Sequence, residues 1–340
     1  MTSHIALDAV SGDHGLSEII PAAILTLNKH PDLKLTLVGD ENLIRSALRE
    51  NNYSENNKLH VKHASEVVEM YEQPAMALRN KKDSSMRVTI NLVKNGEADA
   101  CVSAGNTGAL MATARFVLKM LPGIGRPAIC TVMPGINGYT RILDLGANLN
   151  PSSKELFQYA VMGAEITRAV EDIDEPRVAL LNVGSEEIKG NNRVKQAANL
   201  LANSHLDYVG FVEGNDIYSG KVDVIVCDGF SGNIALKASE GVAELLIFHA
   251  KNEFQKTLYG KLVAMVSLPV LKSIRSQIDP RKYNGASLLG LRGIVVKSHG
   301  SADKISFAHA IEEAMMEIEK KVPERIISRL EEVLINKELN

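Results

Sequence analysis

Tryptophan is absent from the 340-residue chain, which by itself says little about chemistry. Cysteine is scarce: Cys101, Cys130 and Cys227 stand apart in apolar segments with no CxxC pair. That spacing argues against a disulfide framework and a cysteine-rich metal site, and predicts a reducing, cytoplasmic compartment. Charge of one sign is lacking as well, since 38 Lys+Arg against 41 Asp+Glu leave a formal net charge of -3. Such a balance excludes the strong positive field of a generic nucleic-acid binder. No apolar run reaches the roughly 18 residues of a membrane span, and MTSHIALDAVSGDHG lacks a basic region leading into an apolar one. Neither export nor a transmembrane anchor is expected. HExxH, the Walker A pattern, GxGxxG and GxSxG are all missing, so no metal, nucleotide or nucleophilic-elbow serine is indicated and no cofactor is expected.

What remains is an ordinary globular composition, 45% hydrophobic and 23% charged, at about twice the length of a typical domain. The whole of 1–340 reads as one large unit, or as two intimately joined subdomains with a polar break at Asp172 to Pro176. Short apolar runs alternate with helical patterns: IALDAV at 5–10, LKLTLVG at 33–39, ADACVSA at 98–104, AICTVM at 128–133, TRILDLG at 140–146, RVALLNVG at 177–184 and VDVIVCDG at 222–229. A helix capped by Ser17 is expected from Ser17 to Lys29. The alternation predicts a three-layer α/β/α fold with a mostly parallel central sheet, because parallel strands need long crossovers and are covered on both faces. Ligands in such sheets collect beyond the carboxyl ends of strands, where this sequence is rich in Gly, Asn, Asp, Ser and His.

Several of those strand ends carry chemistry. SAGNTGAL at 103–110 sets Gly105, Asn106, Thr107 and Gly108 between a strand and a helical run, an arrangement that suits either a phosphate cradle or a plain strand-to-helix turn. In NVGSEEIKG, Ser185 and Lys189 follow another strand; the ammonium can hold phosphate or oppose charge growing on a carbonyl oxygen, while Ser-Glu-Glu also suits an exposed first helical turn. CDGFSGNIALK places Asp228, Ser231 and Asn233 in a glycine-punctuated turn before a long helix, with the Asn233 amide able to donate to an oxyanion. Asp13 and His14 in SGDHG, His299 in KSHGSAD and Asn148 in LGAN are further substrate contacts or structural loop residues. Asp144 reads best as a buried carboxylate satisfied by backbone N–H groups.

The stretch from Glu240 to Lys282 is helical in pattern and apolar, with Lys256, Lys261, Lys272, Arg275, Arg281 and Lys282 near its end. An apolar face bordered by cations fits an acidic protein partner, a membrane surface or a subunit interface.

Taken in order, DAVSGDHG, SAGNTGAL, GRPA, LDLGAN, NVGSEEIKG, GFVEG, CDGFSGN, GASLLG and SHGSAD resemble the bacterial phosphate acyltransferases of phospholipid synthesis, from residue 5 to about residue 310. The resemblance implies a fold similar to isopropylmalate dehydrogenase and the phosphotransacetylases, a homodimer, and transfer of a fatty acyl group from acyl carrier protein to inorganic phosphate. It also points to Lys189 and Asn233 as the catalytic pair. Val10, Ser11 and Leu16 stand where the family more usually has Met, Gly and Pro, and Asn150 where Asp is common. In this reading Lys256, Lys261, Lys272 and Arg275 meet the carrier protein or the inner face of the cell membrane. The competing readings are a phosphotransacetylase-like enzyme using a small acyl-coenzyme A, and a noncatalytic carrier- or membrane-binding scaffold.

Overall fold

The computed structural model describes residues 2–338, with side chains described except at 272, 274–278, 280, 282 and 332–338. Its first half runs β1 (Ser3–Asp8), α1 (Leu16–Lys29), β2 (Leu33–Gly39), α2 (Glu41–Glu50), β3 (Leu59–His63), α3 (Pro74–Asn80), α4 (Ser85–Lys94), β4 (Ala100–Ser103) and α5 (Thr107–Leu118). A hairpin of β5 (Ala128–Gly135) and β6 (Gly138–Leu143) follows, then α6 (Ser153–Glu171), β7 (Val178–Leu181), α7 (Asn192–Ala202), β8 (Tyr208–Val212) and β9 (Val224–Val226). The chain ends with α8 (Gly229–Gln255), α9 (Leu258–Ile278), β10 (Ala286–Leu289), β11 (Ile294–Lys297), α10 (Lys304–Lys320) and α11 (Val322–Glu338).

Among the described residues, eleven strands form one sheet in the order β3-β2-β1-β4-β11-β10-β5-β6-β9-β7-β8. The pairings are parallel except β11 with β10, β10 with β5, and β5 with β6. Three successive reversals turn the strands over, so β6, β9, β7 and β8 point opposite to β1, β2, β3, β4 and β11. The carboxyl ends therefore make two rims, where a wholly parallel sheet would have one. Side chains of β1, β2, β4 and β11 pack with α1 and α10 in one apolar layer, and those of β6, β9 and β7 with α6 and α7 in another. Helix α6 is buried on nearly every side, and its start is fixed by a capping box between Ser152 and Glu155. Helix α1 begins one residue earlier than expected: Gly15, at φ 52, takes the cap position and Ser17 Oγ donates to the His14 carbonyl instead.

Where α10 crosses the reversing strands, Glu317 and Arg141 are buried beside the half-buried Glu313, and Glu317 is hydrogen-bonded to Ser287. Burial and the neighbouring Glu313 push the Glu317 carboxyl up from the ordinary 4.5 to about 8. Its folded pKa lies above its unfolded one, so the folded state holds an extra proton between those values. This group's contribution to stability is therefore present in acid and lost as pH rises through that window. Glu317→Gln keeps the shape without the proton. Thermal unfolding should show the variant gaining on the wild type between pH 5 and pH 8, by on the order of a few kcal/mol at the upper end; parallel curves would contradict the assignment.

Candidate active site

The first rim is built from the loops after β1, β4 and β11. Ser11 Oγ donates to the Asp8 carbonyl at 2.8 Å and accepts from the Ala104 N–H at 3.0 Å, which fastens the first loop to the second. Val10 fills the space beside Gly39, so both atypical residues of this loop have packing roles. Asp13 N–H donates to the Gly300 carbonyl at 2.8 Å. At Gly12, with φ +80, a Cβ would stand 2.8 Å from that same oxygen, which requires glycine where these loops clasp. Ser103 Oγ donates to the buried Asp8 carboxylate at 2.7 Å. Burial raises the Asp8 pKa against these hydrogen bonds.

Lys297 and His299 bring basic side chains to this rim. Lys297 is 8% exposed, donates to the carbonyls of Ala104 and Ser298, and faces Asp13 and Asp8. Burial pulls its ammonium down to about 8, with the two aspartates opposing that shift. The His299 N–H donates to Asn284 Oδ1 at 2.9 Å, and Asn284 in turn holds Ser298 Oγ and the Ser306 carbonyl. Lys237 Nζ lies 3.1 Å from His299 Nε2, while Nδ1 lies 2.8 Å from Ser301 Oγ and 3.3 Å from the Ser301 N–H, so both nitrogens of the ring are engaged. Burial first, and then Lys237, lowers the His299 pKa, which favours the neutral ring.

The second rim lies at the carboxyl ends of β6, β9 and β7, which are neighbours in register: Leu143 pairs with Val226 and Val226 with Leu180. After β6, the buried Asp144 accepts from the backbone N–H groups of Ile129, Ala147 and Asn148, as the sequence suggests. Asn148 is buried, and its amide donates to the Pro127 carbonyl and to Asp144, so it ties this turn together. After β9, helix α8 starts four residues before Asn233, and Asp228 caps it by accepting from Phe230 and Ser231 N–H and from Ser231 Oγ. The expected glycine-punctuated turn is thus already helix, and Asp228 and Ser231 are occupied in its cap.

After β7, residues 183–190 form an irregular loop rather than a helical turn, and α7 begins only beyond its cap Asn191. Lys195 Nζ holds the loop by donating to the Ile188 carbonyl at 2.6 Å. Arg193 reaches Asn150 at 3.3 Å, giving that atypical asparagine a partner. Within the loop the stem of Lys189 folds over Gly184, where an added Cβ would stand 3.1 Å from Lys189 Cγ. Ser185 is exposed beside it. Asn233 is exposed on α8 against Gly146, its Oδ1 3.9 Å from an ideal Cβ there. Among the described residues, neither the Lys189 ammonium nor the Asn233 amide has a hydrogen-bond or ion-pair partner, and none joins them to each other.

Helix α8 connects the rims. Asn233 and Lys237 are one turn apart on the same helical face, the first at Gly146 and the second at His299. The motifs DAVSGDHG, SAGN, SHGSAD, LGAN and SGNIALK therefore converge, while NVGSEEIKG approaches through the adjacent strand end. Lys237, Asn284 and Lys297 are absent from the sequence reading. Lys297 sits in the apolar run IVVK, and only its flanking SHG gives a signal. Asn106 differs from a cradle residue. Its Oδ1 accepts from Ala109 N–H as the α5 cap, while its Nδ2 donates to the carbonyls of Met70 and Glu72 at 2.8 and 3.0 Å. The glycines beside it are packed by Met86 at Gly105 and Pro74 at Gly108, and Thr107 opens the helix. Asp13 and His14 are exposed in the loop ahead of α1. Cys227 lies at the end of β9 as a buried thiol whose pKa burial pushes up, which removes it as a thiolate nucleophile.

Helices α8 and α9 leave a row of apolar side chains uncovered, among them Leu245, Phe248, Leu258, Tyr259, Leu262 and Val266. Lys256 pairs with Glu253, and Lys261 is exposed; the side chains of Lys272 and Arg275 lie outside those described. Among the described residues, no helix is long and apolar enough to cross a membrane.

Residues 3–325 match the model of a fatty acid synthesis protein family. A phosphate acyltransferase of Methylococcus capsulatus is 57% identical over 335 residues, which cover 98% of this chain and 99% of that one. Another, from Alkalilimnicola ehrlichii, is 56% identical and covers 98% of each. Among solved structures, a phosphotransacetylase from Streptococcus pyogenes has a TM-score of 0.62 at 18% identity, over 95% of this chain and 94% of its own. A 4-hydroxythreonine-4-phosphate dehydrogenase from Klebsiella pneumoniae has a TM-score of 0.54 at 16% identity, over 94% and 98%. These likenesses bear out the expected α/β fold class.

Proposed function

The chain belongs to the phosphate acyltransferase family, and from that membership we propose that it moves a long-chain fatty acyl group from acyl carrier protein to inorganic phosphate. The observation that carries the mechanism is the pair of unengaged head groups, Lys189 in the loop after β7 and Asn233 near the start of α8, which follows the adjacent strand β9. Phosphate is substantially dianionic near neutral pH, by analogy with phosphate monoesters whose second pKa is about 6, so it needs positioning more than deprotonation. Lys189 supplies a point charge for it. A phosphate oxygen attacks the thioester carbonyl, and negative charge moves onto the carbonyl oxygen, where the Asn233 amide donates. The C–S bond then breaks and the carrier thiolate leaves, which its pKa of about 8.5 makes tolerable. Along α8, Lys237 contacts His299 and pairs with Glu240, and the buried Lys297 faces Asp13 and Asp8, so acidic neighbours balance both of these cations.

The uncovered apolar row and the cations Lys256 and Lys261 support contact of the α8–α9 hairpin with the acidic carrier protein, with a membrane surface as a peripheral protein, or with a second subunit. One assay tests the reading. Purified protein is given labelled phosphate with either long-chain acyl carrier protein or acetyl-coenzyme A, and label is sought in an acyl phosphate. Label appearing with the first donor is expected. Label with acetyl-coenzyme A alone would favour the phosphotransacetylase reading, and none with either would favour the scaffold. Repeating the assay with Lys256→Glu and Lys261→Glu should raise the KM for the carrier donor; an unchanged KM removes those residues from docking.

A further inference from the structure

Between β3 and α4 the chain crosses the first rim as a strap, and its attachments are numerous. Asn106 holds the carbonyls of Met70 and Glu72, Lys81 donates to the Val67 carbonyl and pairs with Glu72 at 2.8 Å, and Val68 is buried in the core. Pro74 Cγ lies 2.8 Å, and Met70 Cε 3.1 Å, from where a Cβ would stand on Gly108 and Gly300 respectively. The strap thus rests on both the SAGNTG loop and the loop carrying His299. Its outward side chains are nevertheless apolar: Met70 and Met76 are 43% and 47% exposed, and Tyr71 is 88% exposed. Apolar groups on a firmly held backbone, beside the loop whose His299 meets α8, provide what an activated lipid needs beyond its reacting head.

We propose that this strap is the wall along which the donor's alkyl chain lies, with Met70 and Tyr71 setting chain-length preference and Asn106 as the positioning residue that holds them at the His299 loop. The inference rests on the acyl-transfer reading above and deepens it. An alkyl tail is the occupant because the strap rests on the loop of His299, whose ring meets Lys237 one turn along α8 from Asn233, and because flexible thioethers adapt to chains of differing length. Its backbone is already ordered, so the contact costs little conformational entropy.

The test compares kcat/KM for long-chain and medium-chain acyl carrier protein in the wild type, in Met70→Ser/Tyr71→Ser and in Asn106→Ser. Serine at 106 retains an N-cap oxygen for Ala109 while removing both strap bonds. In each variant the long-to-medium ratio should fall roughly tenfold, the scale of one to two methylenes losing their apolar contact. Thermal unfolding of Asn106→Ser checks that the fold persists. An unchanged ratio overturns the proposal, and so does lost vesicle partitioning with an intact ratio, which would make the strap a membrane contact. Failure of the wild type to form acyl phosphate from either donor would instead remove the reading beneath it.

Discussion

Asn233→Ala should unfold at the same temperature as the wild type and turn over roughly 10²–10³ times more slowly, the usual cost of deleting one oxyanion donor. The side chain is exposed, caps nothing and accepts nothing among the described residues, so its removal disturbs no internal bond. Lys189→Ala is expected to behave likewise on the phosphate side, raising the KM for phosphate as well as lowering kcat. The two should combine less than additively if both act on one tetrahedral species. Near-normal turnover by both variants with labelled phosphate would strip them of these roles. Arginine at 189 is not a conservative control, because its planar fork replaces a point charge that the Gly184 turn has shaped.

How much of this site the sequence reveals depends on what each motif asks of its neighbours. Asn233 is legible because glycines and a helix start surround it, and those features persist in the structure. Asn106 is less so: an asparagine before a helix has the same local pattern whether its amide faces an anion or a distant backbone, and only the fold brings Met70 within reach. Lys297 is hidden for a related reason, since a lysine at the end of IVVK gives no sign that Asp8 and Asp13 will face it from other loops. The sheet class is readable from alternating apolar runs. The reversal into two rims is not, because it is made by the four-residue strand β10 and one hairpin, too short to carry a periodic signal. The pairing of Lys237 with His299 depends on that reversal, so it was beyond reach as well.

Gly232→Ala carries the largest expected loss of stability. A Cβ at this position would overlap the Asp144 carbonyl oxygen and stand 2.9 Å from Cys227 Sγ. The obstructing atom is backbone, fixed by the same turn in which Asp144 accepts three N–H groups, so no side-chain rotation relieves the clash. Helix α8 must then move away from β6, at a cost of about 3 kcal/mol or more. Gly241, in the same helix, has nothing within 4 Å of its ideal Cβ and is exposed. Gly241→Ala should therefore stabilise the protein by up to about 1 kcal/mol through helix propensity alone. Opposite shifts in the unfolding midpoint would establish that the close approach, rather than glycine's flexibility, is what position 232 requires. The displacement has a catalytic consequence too: Asn233 and Lys237 follow on the same helix, so whatever Gly232→Ala protein remains folded should lose turnover, whereas Gly241→Ala should keep it. Similar midpoints for the two variants would mean that α8 is not seated on the Asp144 turn, and Asn233 would lose the support that aims it.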